Sequence, residues 1–253
     1  MRKQITTLLL AIMATTVWAV DLPKQGFGLQ VGWAQPILRV NDENHKDTLN
    51  NVIKMNGFKI GLMYDASYIA GFGSTMGINY TFGVYNGGWK STNPNYGDYP
   101  KSRMLITYHQ LEVFVDWQYK FEIAKETYLM LYTGPTLQCG LDFSMHTDVK
   151  KEVPPMSGDI QTIYGERYNA YNISEIDDSL DPTHQKENNA LKRFNVTWGV
   201  GAGFQYKRYF LRGGYDFGLI DPYKNADFTT GVHSRGRLDQ WEIKIGMYLW
   251  YED

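Results

Sequence analysis

One stretch near the C-terminus, residues 194–207, reads FNVTWGVGAGFQYK. Apolar side chains occupy every second position from Phe194 to Tyr206, and polar residues and three glycines stand between them. Strict alternation over this length is typical of a β-strand, because successive strand side chains point to opposite faces. The stretch therefore predicts a strand with one large apolar face and one small, polar face.

The same alternation recurs along the chain and predicts an all-β fold. Most of the alternating segments reach the roughly 9–11 residues that a tilted strand needs to cross a bilayer. We expect eight antiparallel strands, at about 26–37, 55–69, 71–85, 103–121, 127–144, 193–207, 209–219 and 237–251.

The glycines indicate which face of these strands points inward. More than half of the 25 glycines fall on the polar face. Glycine on a water-facing strand packs nothing, whereas the interior of an eight-stranded barrel is just wide enough for its side chains. The polar face is therefore predicted to line a lumen and the apolar face to meet lipid, the reverse of a soluble lipocalin-like barrel. The glycines on this face are Gly28, Gly32, Gly57, Gly61, Gly73, Gly77, Gly83, Gly134, Gly140, Gly199, Gly201, Gly203, Gly214, Gly218 and Gly246.

The connections alternate between long and short. Long gaps at 38–54, 86–102, 145–192 and 220–236 are separated by short gaps near 70, 122–126 and 208. Up-and-down membrane barrels have long outer loops and short periplasmic turns. The sequence thus predicts an eight-stranded antiparallel up-and-down transmembrane β-barrel with long extracellular loops.

Outward aromatic residues near the strand ends predict two girdles at the membrane interfaces. The periplasmic girdle is expected to contain Phe27, Tyr68, Phe72, Tyr119, Tyr206, Tyr209 and Tyr251. The outer girdle is expected to contain Phe58, Phe82, Phe143, Phe194, Phe217 and Trp241.

The N-terminus has the composition of an export signal. A basic start, Met1-Arg2-Lys3, precedes an apolar run from Ile5 to Met13 and the small residues around Val17-Trp18-Ala19. This order predicts a signal peptide at 1–19 and a barrel domain at 20–253. The single cysteine excludes an intramolecular disulfide, and a formal charge of -2 gives no indication of a nucleic-acid partner.

Two segments carry a family resemblance. Residues 111–121, LEVFVDWQYKF, and the closing segment 245–251, IGMYLWY, resemble the PorT-like outer-membrane β-barrel family. The resemblance covers the mature chain and implies a place in the outer membrane of a Gram-negative bacterium. The family also includes a component linked to protein secretion. One departure is that Glu252-Asp253 follow Tyr251, whereas such barrels commonly end on an aromatic residue.

Charged residues occur at predicted lumen positions with nearly balanced signs. Buried charges persist when they are paired and hydrogen-bonded, so we predict a network of ion pairs that fills the barrel. The short turn near 208 places Arg212 beside Gly203 and Asp216 beside Gly199, and those glycines leave room for the guanidinium. A narrow channel or a proton path is the functional alternative. The predicted lumen charges are Lys59, Asp65, Glu112, Asp116, Lys120, Asp142, Lys207, Arg212, Asp216, Glu242 and Lys244.

Signals for catalysis, cofactors or metals are weak. Ser144, His146, Asp142 and Asp148 lie close in sequence at the predicted rim and are the residue types from which a hydrolase or acyl-transfer site could form. No motif of a known nucleophile or metal site accompanies them, and the acidic residues at 175–181 match no EF-hand loop. We predict a protein that is not an enzyme and holds no cofactor or metal, with a rim enzyme as the alternative.

The long gap 145–192 is predicted to be the principal outer loop. Its tyrosines at 164, 168 and 171 are candidate contact anchors, since tyrosine offers a large area at low entropic cost. The complete prediction is a monomeric barrel with a structural or surface-interaction role. Its expected partners are outer-membrane lipid and an extracellular or secretion-machinery protein.

Overall fold

The computed structural model describes eight ranges of the chain: 25–41, 52–69, 71–91, 100–152, 160–165, 167–171, 191–222 and 235–252. The predicted signal peptide, residues 1–19, and the acidic residues at 175–181 lie outside these ranges.

The described elements are β-strands. In chain order they are β1 (Gln25–Asn41), β2 (Val52–Lys54), β3 (Asn56–Ile69), β4 (Phe72–Asn86), β5 (Lys90–Ser91), β6 (Lys101–Ala124), β7 (Thr127–Glu152), β8 (Ile160–Ile163), β9 (Tyr168–Asn169), β10 (Phe194–Tyr206), β11 (Tyr209–Gly218) and β12 (Arg235–Glu252). In the part of the chain that the structure describes, no helix is long and apolar enough to span a membrane.

The eight long strands close into an antiparallel ring. Their order around the ring is β1, β3, β4, β6, β7, β10, β11 and β12, and β12 pairs back with β1. Closure leaves no open edge in the ring, so no long strand has unpaired backbone groups that could pair with another chain and cause aggregation. The predicted eight-stranded up-and-down barrel is confirmed, and the four short strands add to the ends of β1, β6 and β7.

Three tight turns join the strands at the periplasmic end. Gly71, Glu126 and Lys207 have left-handed φ values of 86°, 56° and 53° in these turns. The prediction that Lys207 lies in the lumen is wrong, because β10 ends at Tyr206 and the alternation stops there. The Lys207 side chain is about half exposed, and its Nζ lies 3.8 Å from a Glu126 carboxylate oxygen.

The two faces of the ring differ in polarity as predicted. Between the aromatic girdles, exposed apolar side chains surround a polar interior, and this arrangement suits a barrel with lipid outside. We call this part the membrane section. Its exposed side chains include Leu29, Val31, Ile60, Leu62, Ile78, Val113, Leu131, Val200, Leu211, Ile243 and Ile245. Its buried polar side chains include Gln30, Thr75, Asn79, Thr81, Gln118, Gln138, Thr197 and Gln205.

Strands β6 and β7 are the longest, with 24 and 26 residues, and pair with each other as far as Lys101 and Lys150. We call residues 101–109 and 142–152, together with β5, β8 and β9, the extracellular extension. The predicted outer loop at 145–192 is therefore partly sheet. Residues 145–152 continue β7, and β8 and β9 pair with it.

A β-bulge separates the extension from the membrane section. His109 stands opposite Asp142, whereas Gln110 stands opposite Gly140, so Leu141 is the extra residue on β7. Because one added residue reverses the facing of all that follow, Phe143 points inward and Asp142 points outward. The lumen position predicted for Asp142 and the girdle position predicted for Phe143 are both wrong for this reason.

Candidate functional site

The centre of the lumen holds a chain of paired charges. The Lys59 ammonium lies 2.5 Å from a carboxylate oxygen of Glu112 and 2.5 Å from one of Glu242. The Lys244 ammonium contacts the other Glu242 oxygen at 2.5 Å. All four side chains are almost fully buried. Charges removed from water in this way hold their positions only when each has a partner.

Polar side chains complete this chain. Thr81 donates to Glu112 at 3.0 Å, and the Gln240 amide donates to the same carboxylate oxygen at 3.0 Å. Gln110 also donates to Glu112. Asp216 accepts a longer bond of 3.5 Å from the Gln240 amide. Charges from β3, β6, β11 and β12 are thus joined across the barrel.

Arg212 occupies a second part of the lumen. Its Nη2 donates to Asp116 at 2.6 Å, and its guanidinium lies 3.9 Å from the centroid of the Tyr132 ring. The tyrosine ring fits because two neighbouring residues are glycines. A Cβ at Gly201 would lie 2.2 Å from the Tyr132 ring, and one at Gly214 would lie 2.7 Å from its hydroxyl. The register is the one inferred from the short turn, with Gly203 opposite Arg212 and Gly199 opposite Asp216.

Asp65 organises the third group of polar contacts. It accepts hydrogen bonds from the Lys120 ammonium at 2.7 Å, the Gln118 amide at 2.6 Å and the Tyr248 hydroxyl. An apolar cluster that includes Tyr248 lies beside this group. It consists of Met63, Phe114, Met130, Phe210 and Tyr248. Large side chains therefore accompany the ion pairs inside the ring.

An apolar cluster closes the extracellular end of the interior, on the side of the extension. It contains Leu38, Met55, Ile106, Tyr108, Phe143, Ala170, Tyr171, Leu191 and Leu238. We call these residues the apolar plug. The ring of Phe143 packs edge-on against Tyr108 and Tyr171, with centroids 5.6 and 6.1 Å apart. The plug was missed by our sequence analysis. The signal was present, since the inward positions of β6 change from polar at Gln110 to apolar at Tyr108.

The three tyrosines predicted as surface anchors have different positions. Tyr171 is only 4% exposed, so the prediction that it is a surface contact is wrong. Its ring enters the plug beside Gly140, where a Cβ would lie 2.1 Å from the tyrosine hydroxyl. Tyr164 is 75% exposed. Tyr168 pairs through its backbone with Met145, and its side chain lies outside the described part of the structure.

The rim residues form two pairs rather than one triad. The Ser144 hydroxyl donates to Asp142 at 2.7 Å, while His146 Nε2 lies 3.8 Å from Asp148. Arg103 donates to Asp148 at 2.6 Å, and this bond outweighs the opposing effect of burial and holds the pKa of Asp148 below its ordinary value. Among the described residues, no hydrogen bond joins Ser144 to His146, and no cluster of ligands suitable for a metal occurs.

The geometry above agrees with a sequence-family match. The model of the outer membrane protein beta-barrel domain matches residues 27–224. The chain belongs to this outer-membrane β-barrel family. It is accordingly a protein of the bacterial outer membrane, with its strands in the bilayer. No curated protein sequence matches the chain.

Solved structures of small outer-membrane barrels show some likeness to this member of the family. Ail of Yersinia pestis is 10% identical with a TM-score of 0.37, and the match covers 90% of this chain and 100% of Ail. Neisserial surface protein A is 11% identical with a TM-score of 0.36, over 88% and 96% of the two chains. The N-terminal barrel of Pseudomonas aeruginosa OprF is 9% identical with a TM-score of 0.23, over 86% and 97%. The family assignment does not depend on these likenesses.

Proposed function

We propose that this outer-membrane barrel is a closed, non-catalytic surface protein whose barrel holds the extracellular extension in place for contact with other molecules. The filled interior is the observation that carries this proposal. Ion pairs occupy the lumen around Lys59 and Arg212, and the apolar plug lies beyond them. A solute could pass only by displacing both the buried ion pairs and the apolar plug, and this disfavours the alternative of a channel.

The extension supplies the contact surface in this proposal. Met104 and Ile163 are each 41% exposed, and both lie on the same face of its sheet. Tyr164 follows Ile163 directly and is the most exposed of the three. Large apolar side chains exposed together outside a membrane section are typical of interaction sites.

Two narrower statements belong to the same proposal. The segment 111–121 favours kinship with PorT-like proteins within the family, and a secretion-machinery protein or another extracellular protein is the expected kind of partner. The separated pairs Ser144–Asp142 and His146–Asp148 disfavour the alternative of a rim enzyme, because a serine nucleophile needs its base within hydrogen-bond reach.

Conductance in planar bilayers tests the closed lumen. We expect the purified full chain to insert without large, stable openings, since an eight-stranded barrel has room only for its own side chains. Heat-dependent gel mobility of the same sample provides the control, because it shows that the barrel is folded. Steady porin-like openings from folded protein would contradict the proposal.

Photo-crosslinking on intact cells tests the contact surface. A photoreactive residue at position 164 should form adducts with proteins outside the barrel. The same residue at Leu211, which faces lipid, and at Tyr108, which is buried, provides the two matched controls. Equal protein adducts at positions 164 and 211 would contradict a contact role for the extension.

A further inference from the structure

Two arginines on the outer surface of the barrel share one buried carboxylate. Arg39 on β1 and Arg237 on β12 stand directly opposite each other in the strand register. Arg39 Nε donates to one Asp239 oxygen at 2.8 Å, and Arg237 Nε donates to the other at 2.7 Å. Asp239 itself is 0% exposed, whereas the two arginine side chains are 43% and 46% exposed.

Further donors saturate the carboxylate. The Tyr215 hydroxyl donates to Asp239 at 2.7 Å, and the backbone N–H of Gly218 donates to it at 2.9 Å. These bonds, together with the two arginines, outweigh burial and lower the pKa of Asp239, so the carboxylate stays ionised. Gly218 also makes room for the Arg237 stem, since a Cβ there would lie 2.9 Å from Arg237 Cγ. Asp239 is thus a fixed anchor that orients two guanidinium groups.

The arrangement leaves net positive charge on the surface. Two guanidinium groups face one carboxylate, and both contacts to it use Nε, while the arginine side chains remain 43% and 46% exposed. Like charges directly opposite on a sheet repel each other. An anion placed between the forks would relieve that repulsion, and a phosphate matches the fork geometry by accepting paired hydrogen bonds.

The height of the pair on the barrel indicates the source of the phosphate. Trp241 of the outer girdle follows Arg237 by four residues on the same outward face of β12, on the membrane side of Arg237. It packs edge-on against Tyr215, with ring centroids 4.6 Å apart. Four strand residues span roughly 13 Å along the tilted strand. The guanidinium groups therefore stand just outside the apolar belt, at the level of lipid headgroups.

We propose that Arg39 and Arg237 form a binding site for the phosphate group of an outer-leaflet lipid. The lipid chains lie along the apolar wall below the site, next to Trp33 and Trp241, which are 40% and 49% exposed. Asp239 positions the arginines and does not touch the phosphate. This inference is independent of the proposed contact role of the extension.

Lipid retention by the purified full chain tests this site. The protein is exchanged into phosphatidylcholine vesicles with or without phosphatidic acid, then extracted in mild detergent and analysed by native mass spectrometry. We expect phosphatidic acid to remain bound to the wild type. We expect Arg39→Gln with Arg237→Gln to lower its retention about tenfold, which is equivalent to the loss of one charge-assisted hydrogen bond.

Arg103→Gln provides the matched control. Arg103 is also an outward arginine bound to a buried carboxylate, but it lies on the extension. This variant should retain phosphatidic acid like the wild type. An equal loss in Arg103→Gln would show a general charge effect and would overturn the site, as would undiminished retention in the double variant.

Two further arms complete the test. If the double variant does not fold, Arg39→Lys and Arg237→Lys are measured singly, because each keeps a charge for Asp239 but loses the fork. Their retention should fall relative to the wild type, and unchanged retention would overturn the proposal. Inorganic phosphate is then added as a competitor. Because inorganic phosphate has no acyl chains to lie against the apolar wall, it should displace phosphatidic acid only in large excess. Displacement at equal concentration would indicate a free-anion site and overturn the assignment to a lipid.

Discussion

The membrane section and the extracellular extension are built on the same two strands, β6 and β7, but have opposite polarity. In the membrane section, Glu112 and Asp116 point inward while Val113 is exposed outside. In the extension, Tyr108 and Phe143 are buried inside while Arg103 and His146 face outward. The solvent explains the difference, because lipid favours apolar side chains outside the ring and water favours them inside.

The strands β6 and β7 differ in how they reverse polarity between the two sections. On β6 the alternation continues without a shift, and the residue types exchange faces between Gln110 and Tyr108. On β7 the bulge at Leu141 turns Phe143 inward. One strand thus changes its composition and the other changes its register, and both changes occur at the same level of the barrel.

The largest expected effect is the loss of a central ion pair in the membrane section. Arg212→Leu leaves Asp116 buried without its cation, which should lower the free energy of unfolding by about 3–5 kcal/mol. Lys207→Leu is the control and should cost less than about 1 kcal/mol, because that lysine is half exposed in a turn. Urea unfolding in detergent measures both variants. Equal losses would show that the lumen network does not stabilise the barrel.

A smaller loss is expected from the apolar plug. Tyr171→Ala removes a buried ring that packs against Phe143, at a cost of about 3 kcal/mol. Tyr164→Ala removes an exposed ring from the same connection and should change stability by less than about 0.5 kcal/mol. Backbone amides of β7 near Phe143, where the strand enters the extension, should exchange hydrogen faster in Tyr171→Ala than in the wild type. Equal exchange in the two variants would mean that the plug does not hold the extension together.

The barrel could be predicted from the sequence because its signal is repeated on eight strands. The alternation of apolar and small residues predicted the ring of strands and which side chains point inward. The short turn at Lys207 also predicted that Gly203 stands opposite Arg212. The errors at Asp142 and Phe143 have one cause. A bulge adds one residue to a strand, and no special residue type marks Leu141 in the sequence.

The polar and apolar contacts that close the interior were less predictable. Because Arg212 was predicted to be buried, an acidic partner for it could be expected. The sequence did not indicate that this partner is Asp116, because the choice among several acids depends on the tilt of the strands and on the ring of Tyr132. The position of Tyr171 depends on a long connection that returns to the barrel. Alternation within a strand contains no information about such a return, so this tyrosine resembled its exposed neighbour Tyr164.

A third prediction compares the outer surfaces of the two sections. Val113→Lys places a charge against lipid and should lower the free energy of unfolding by at least about 2 kcal/mol. His146→Lys places the same side chain on the outward face of the extension, near Asp148, and should be nearly neutral. Unfolding in lipid vesicles provides the measurement. A similar loss at both positions would contradict the placement of the membrane boundary between them.

The smallest effect is a pH response confined to the extension. Arg103 lowers the pKa of Asp148 in the folded state, so the pair stabilises the extension at pH values above the ordinary aspartate pKa of about 3.9. This stabilisation should be lost as the pH falls through the lowered pKa. Backbone amides near Arg103 and Asp148 should therefore exchange faster with solvent in acid, relative to amides at Val113. In Arg103→Gln the acid-dependent difference should disappear, because protonation of Asp148 then no longer breaks an ion pair with Arg103. An unchanged acid response in that variant would show that the response does not arise from the Arg103–Asp148 pair.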